Sequence, residues 1–189
     1  MGKAVPQRDS RAIRSELAPL GHPIRREQLG RVGRDQRLQI LVGRCDDADI
    51  EADACLAVNS GVACTIMVAD CLPILMCDRS GQWVAAAHAG WRGLAGEGGT
   101  GVLEALCQQS ALRDTPPDDI LVWLGPCIGP EAFEVGSDVR EAFCADAPEA
   151  GVYFKPAVAD KWLADLAGLA RWRLRPALRR PGRVRWGHR

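Results

Sequence analysis

Two residues able to do nucleophilic or metal chemistry, Cys71 and His88, bracket the stretch ADCLPILMCDRSGQWVAAAHAGWRG, which runs from Ala69 to Gly93. A thiolate beside an imidazole supports two kinds of reaction. The histidine can activate the thiol as a nucleophile. Alternatively, both can bind a borderline-soft metal such as zinc, with a third ligand and an open water position. Asp70 could orient the histidine, act as a base or contact substrate. Arg92, on a glycine-flanked loop, could clamp a phosphate or carboxylate. Each residue also has an ordinary reading: a single Cys is often a small core hydrophobe, and an isolated Arg a solvated surface group.

What would bring Cys71 and His88 together is a hairpin. PILMC (73–77) and WVAAA (83–87) read as apolar strands, and Asp78-Arg79-Ser80-Gly81 reads as the turn between them. Cys71 lies six residues before Cys77 and His88 five after Trp83, so pairing places both at the open end of the hairpin. Strand ends on a rigid scaffold are common places for reactive groups.

The remaining elements follow from composition. LQILV (38–42) reads as a strand, CDDADIEADA (45–54) as an acidic loop and VACTIMV (62–68) as a buried strand. After His88 the chain is glycine-rich, and a helix follows over about 102–112. TPPDD reads as a loop, ILVWL (120–124) as a buried strand and GPCIGP (125–130) as a rigid loop. A helix over about 137–144 can start on a Ser137 cap. A last helix over roughly 160–173 carries Trp162, Leu163, Leu166, Leu169 and Ala170 at helical spacing. A short helix over 11–20 is also expected, ended by Gly21 and Pro23. The pattern predicts an α+β, mixed α/β domain.

The 189 residues suit one domain with a sizeable core, and 47% of them are hydrophobic. No apolar run reaches the ~20 residues of a membrane helix, and the N-terminus has no signal-like apolar region. The eight cysteines include no C-x-x-C pair, so free thiols in a reducing, cytoplasmic compartment are expected. Net charge is zero but unevenly spread. Residues 1–44 hold nine Arg and one Lys against four acids, and 171–189 hold eight Arg and no acid. Residues 45–170 hold twenty acids against four Arg and two Lys. Basic arms for nucleic acid are one reading of the ends. It is not favoured, because aromatic interleaving is limited to Trp172 and Trp186 and no nucleic-acid motif accompanies the charge.

ADCLP, then HAGWRG, then L-G-P-x-I-G-P-x-x-F-E-V-G in that order resemble the multicopper polyphenol oxidase, or laccase-domain, family. Its members also carry the names peptidoglycan editing factor and purine nucleoside phosphorylase. EADACLAVNSGVACTIMVADCLP and KWLADLAGLARWRL extend the likeness over about 49–175. The resemblance implies mixed β-sheets flanked by helices, like the cysteine hydrolase fold of cytotoxic necrotizing factors. It implies a zinc site of two His and one Cys, to which Cys71 and His88 correspond. It also implies phosphorolysis of adenosine, inosine, guanosine and methylthioadenosine, and adenosine deamination, with purine nucleoside and phosphate as partners. The older laccase label implied copper and phenol oxidation, but the three histidines of this chain cannot furnish a multicopper cluster. Two further readings stand beside the phosphorylase: an incomplete, weakly active member, and a Cys-dependent amide hydrolase editing peptidoglycan precursors.

The chain departs from the family at three points. The family's first metal His lies in a Q-V-H-G motif upstream of the Cys, whereas REQLGRVGRDQRLQILVG holds no His and His22 stands in an unrelated G-H-P context. GEGGTG adds residues after HAGWRG. The family's cysteine-threonine motif and F-F-S-Y-R-R-type segment are not found before Arg189. The expected organisation is a divergent basic segment over 1–44, a laccase-domain core over 45–175 and an Arg-rich, disordered tail over 176–189. Oligomeric state is not legible in the sequence.

Overall fold

The computed structural model describes residues 40–42, 52–59 and 61–178. Over these the chain is a mixed α+β domain built on two sheets. The larger has five strands: β1 (Ile40–Val42), β2 (Ala54–Ala57), β3 (Leu72–Asp78), β4 (Val84–Ala89) and β5 (Ile120–Leu124). Their spatial order is β1-β2-β4-β3-β5, with β1 and β2 parallel and the other pairs antiparallel. A smaller sheet orders β6 (Glu134–Val135), β8 (Trp162–Ala164) and β7 (Phe154–Pro156). Helices α1 (Trp91–Ala95), α2 (Val102–Cys107), α3 (Ser110–Arg113), α4 (Ser137–Cys144) and α5 (Leu166–Ala177) complete the domain.

The core follows from strand alternation. Leu72, Ile74 and Met76 of β3 point to one face and are buried, while Leu75 on the other face is exposed. The inward alanines of β4, Ala85, Ala87 and Ala89, are buried and small, which lets α1 and α2 pack close against that strand. Leu94, Leu103, Leu106 and Leu169 close the core from the helical side. The outer face keeps Leu75, Val84, Leu121 and Trp123 exposed.

The expected hairpin forms, with Leu72 opposite Ala89 and Pro73 opposite His88. Its turn is organised by the Asp78 carboxylate, which accepts from the Ser80 hydroxyl, from Ser80 N–H (3.2 Å), from Gln82 N–H (2.5 Å) and from Trp83 N–H (3.1 Å). Burial pushes this carboxyl up, but the bonds from Ser80, Trp83 and Gln82 outweigh it and hold the group below the usual carboxylate range. A depressed folded value contributes stability that is present above about pH 4, the unfolded value, and is lost as pH falls through the folded one. Asp78→Asn should therefore cost about 1–2 kcal/mol at pH 7. Urea midpoints at pH 7 and pH 3 check this: the gap between the variant and the parent should be largest at the first pH and narrower at the second.

Five expectations are corrected. The stretch 62–68 forms no strand, because both flanks of β4 are already taken by β2 and β3. From this stretch the Cys64 thiol donates to the Val84 carbonyl at 3.4 Å. Ala54, the last residue of the expected acidic loop, opens the strand β2 (ACLA), and 45–51 of that loop lie outside the described residues. The helix expected over 102–112 breaks after Cys107 and resumes at Ser110. The last helix does not begin at Asp160: Trp162–Ala164 pairs as β8 between β6 and β7, and α5 starts after Asp165, whose carboxylate accepts from Gly168 N–H at 2.8 Å. Helix α4 has the expected bounds, but Gly136 occupies its N-cap and no side chain caps it. Ser137 instead accepts from the Trp162 indole at 3.3 Å. The helix expected over 11–20 lies outside the described residues.

Candidate functional site

Cys71 immediately precedes β3, and His88 is the fifth residue of β4. The hairpin register sets Pro73 opposite His88 and carries Cys71 toward Gly90, just beyond the end of β4. Gly90 shows how close the two side chains are. A Cβ at Gly90 would stand 3.1 Å from Cys71 Sγ and 3.8 Å from His88 Cε1. Gly90 has φ −72° and ψ 165°, an ordinary extended conformation, so its lack of a side chain serves space and not backbone freedom. Both Cys71 and His88 are half-buried.

The backbone holds the pair from three sides. His88 N–H donates to the Asp53 carbonyl at 2.8 Å, which ties β4 to the residue preceding β2. Ile128 N–H donates to the Asp70 carbonyl and Gly125 N–H to the Pro73 carbonyl, each at 2.9 Å. These two bonds continue the register of β3 against β5 beyond the strand ends and hang the GPCIGP loop beside Cys71. Gly125 makes that approach possible, since a Cβ there would meet the Pro73 ring at 2.7 Å. Cys127 sits in this loop. Burial pushes its thiol up, nearby Asp165 adds to the rise, Arg171 opposes it, and Cys71 contributes a further rise.

Arg92 and Asp70 are placed less decisively. Arg92 is exposed on α1, with its guanidinium 4.3 Å over the Trp91 ring. Asp70 is exposed, and its main-chain carbonyl rather than its carboxylate anchors the neighbouring loop. Among the described residues no group of three His, Cys, Asp or Glu side chains is arranged to hold a metal ion. Cys71 and His88 thus supply two donors of suitable chemistry for zinc, one sulfur and one nitrogen. Sequence reasoning missed Asp53, Gly90 and Gly125. Gly90 stands in plain view inside HAGWRG, but only the register shows what it makes room for.

The glycine-rich loop after α1 is clamped from α5. Arg173, buried, donates to the Ala95 carbonyl at 2.8 Å and to the Gly99 carbonyl at 3.0 Å, and lies 3.6 Å from the Glu104 carboxylate. Glu104 in turn accepts from Gly101 N–H at 2.9 Å at the start of α2. A cleft of about 670 Å³ lies elsewhere, at the turn end of the hairpin, lined in part by Asp78, Arg79, Trp83 and Asp119.

A family model described as multi-copper polyphenol oxidoreductase laccase matches residues 26–180. The chain is 56% identical over 142 residues to a purine nucleoside phosphorylase of Pseudomonas aeruginosa, covering 74% of this chain and 56% of that protein. It is 52% identical over 128 residues to the purine nucleoside phosphorylase YfiH of Escherichia coli, covering 67% and 49%. An adenosine deaminase, RL5, from an unknown prokaryotic organism is 37% identical over 110 residues, covering 58% and 40%. The chain spans about half the length of the curated relatives it matches. Among solved structures, a Neisseria meningitidis protein aligns with TM-score 0.69 and 39% identity over 88% of this chain and 64% of that one. YlmD of Geobacillus stearothermophilus aligns with TM-score 0.71 and 25% identity over 87% and 63%.

Proposed function

Because the chain belongs to the multi-copper polyphenol oxidoreductase laccase family, we propose that it serves phosphorolysis of purine nucleosides, with adenosine deamination as a second activity of the same site. The observation that carries this reading is the meeting of Cys71 and His88 around Gly90. The names of the relatives support the reaction class. Cys71 and His88 would hold a zinc ion, which when bound supplies a Lewis acid for the developing negative charge. The chemistry is a substitution at the sugar: a phosphate oxygen bonds to C1′, the C1′–N9 bond breaks, and the purine leaves with the electron pair and takes a proton. Arg92 offers the fixed positive charge for phosphate, and Asp70 a carboxylate for a substrate hydroxyl. The functional unit of this reading is the 45–175 core, flanked by the divergent basic segment 1–44 and the tail from 176. It works in the cytoplasm.

A second reading shares the same pair. Cys71 as nucleophile and His88 as base would make an amide hydrolase. Zinc separates the two, because it inhibits a free thiol nucleophile and supports the phosphorylase.

Purified chain supplied with zinc, adenosine and phosphate should release adenine and ribose 1-phosphate, and inosine when phosphate is withheld. Absence of all three products overturns the proposal. Gly90→Ala is the sharpest accompanying variant. Its methyl group would press on Cys71 Sγ while the backbone conformation suits alanine. Turnover should fall by at least about tenfold, or about 1.4 kcal/mol of barrier, with unchanged circular dichroism. Unchanged turnover would mean that the arrangement of Cys71 and His88 around Gly90 is not used.

A further inference from the structure

Away from Cys71 and His88, a second pair of thiols is poised for redox chemistry. Cys55 lies on β2 opposite Ala86, and its side chain belongs to the half-buried positions of that strand. Cys64 comes from the stretch 62–68, anchored by its bond to the Val84 carbonyl two residues away from Ala86 on β4. The Cys64 side chain hydrogen-bonds Cys55, and the backbone groups of Ala86 and Thr65 also bond the Cys55 sulfur. The two thiols are therefore hydrogen-bonding partners held against neighbouring positions of β4, and both side chains are half-buried.

We propose that Cys55 and Cys64 form a reversible disulfide with low-molecular-weight disulfides as oxidant. Cys55 attacks one sulfur of the oxidant, forming a mixed disulfide and expelling one thiolate. Cys64 then attacks the Cys55 sulfur, forming the Cys55–Cys64 bond and expelling the second thiolate. Two electrons pass from the protein thiols to the oxidant, and the two protons end on the two released small thiols.

Two features assign the order. The bonds from Cys64, Ala86 and Thr65 stabilise the anionic form of Cys55, and despite its burial they hold its thiol below the usual range. Cys64 stands next to it as the resolving group. Cys107 provides a built-in contrast: it is buried, and burial with the charge of Glu104 pushes its thiol up to about 12, so it should stay inert. The bond would staple the stretch that leads to Asp70 and Cys71 onto β2. This chemistry stands whether or not the phosphorylase reading holds.

The test uses the full chain incubated with glutathione disulfide, alkylated, and cut before aspartates. The fragment 53–69 contains Cys55 and Cys64 and no other cysteine. In oxidised protein it should appear unalkylated and two hydrogens lighter, and after dithiothreitol it should appear doubly alkylated. Cys64→Ser should accumulate the glutathione adduct on Cys55 at least about tenfold faster than Cys55→Ser accumulates it on Cys64. Double alkylation of the fragment while Cys71 or Cys77 is oxidised would overturn the proposal. So would an adduct that forms faster on Cys64 than on Cys55. Loss of phosphorolysis with an intact Cys55–Cys64 bond would bear on the catalytic reading alone.

Discussion

Cys71→Ser should lower phosphorolysis of adenosine by roughly a hundredfold or more, which corresponds to about 2.7 kcal/mol of transition-state stabilisation. It should also remove bound zinc. Serine is close in size, and Cys71 is half-buried rather than part of the fully enclosed core, so folding should survive the change. The hydroxyl is a far poorer zinc donor than a thiolate at neutral pH, because its proton is not released there. His88→Ala should produce the same loss through the other donor. Metal analysis of each protein beside a turnover assay checks the pair. Full zinc content in Cys71→Ser would remove Cys71 from the site. Lost turnover with zinc retained would favour the thiol nucleophile.

Arg173→Met carries the largest expected effect on stability. The substitution leaves the carbonyls of Ala95 and Gly99 without their donor, and the half-buried Glu104 without its cation. Each carbonyl left without its donor costs about 1–3 kcal/mol, and the half-buried carboxylate without its cation adds to this. For a chain of this size each kcal/mol lowers the melting temperature by about 2–4 °C, so a drop on the order of 10 °C is expected. Differential scanning calorimetry reads it directly. Adding Glu104→Gln should restore part of the loss, since the stranded charge is then gone. No recovery in the double variant would show that the two carbonyl bonds, and not the ion pair, carry the effect.

Much of the sheet was legible because strand signals in this chain are short apolar runs bounded by turn residues. Ile120–Leu124 and the β3–β4 hairpin appear within a residue or two of their expected places, and with them the meeting point of Cys71 and His88. Two failures share one cause. VACTIMV has strand composition, yet the positions beside β4 are filled by β2 and β3, and pairing partners are a property of the whole sheet. Trp162, Leu163 and Leu166 fit a helical stripe, yet the first two pair between β6 and β7. Periodicity over so few residues does not separate the two states. At the site, residue types announced the chemistry, whereas the spacing role of Gly90 and the anchoring by Asp53 depend on contacts between strands that no local pattern encodes.

The clamp of Arg173 has a consequence for the order in which the molecule assembles. Cys71 and His88 lie on one hairpin, so a short loop closure brings them together, at small entropic cost. The glycine loop beside them is secured by a residue 74 and 78 positions further along the chain. During synthesis the reactive pair can thus meet long before its neighbouring loop is fixed, which happens only when α5 emerges and folds back. A nascent chain halted before Arg173 would hold Cys71 and His88 with an unsecured loop further along, open to proteolysis around Gly96–Gly101 and closed to it once α5 has folded back.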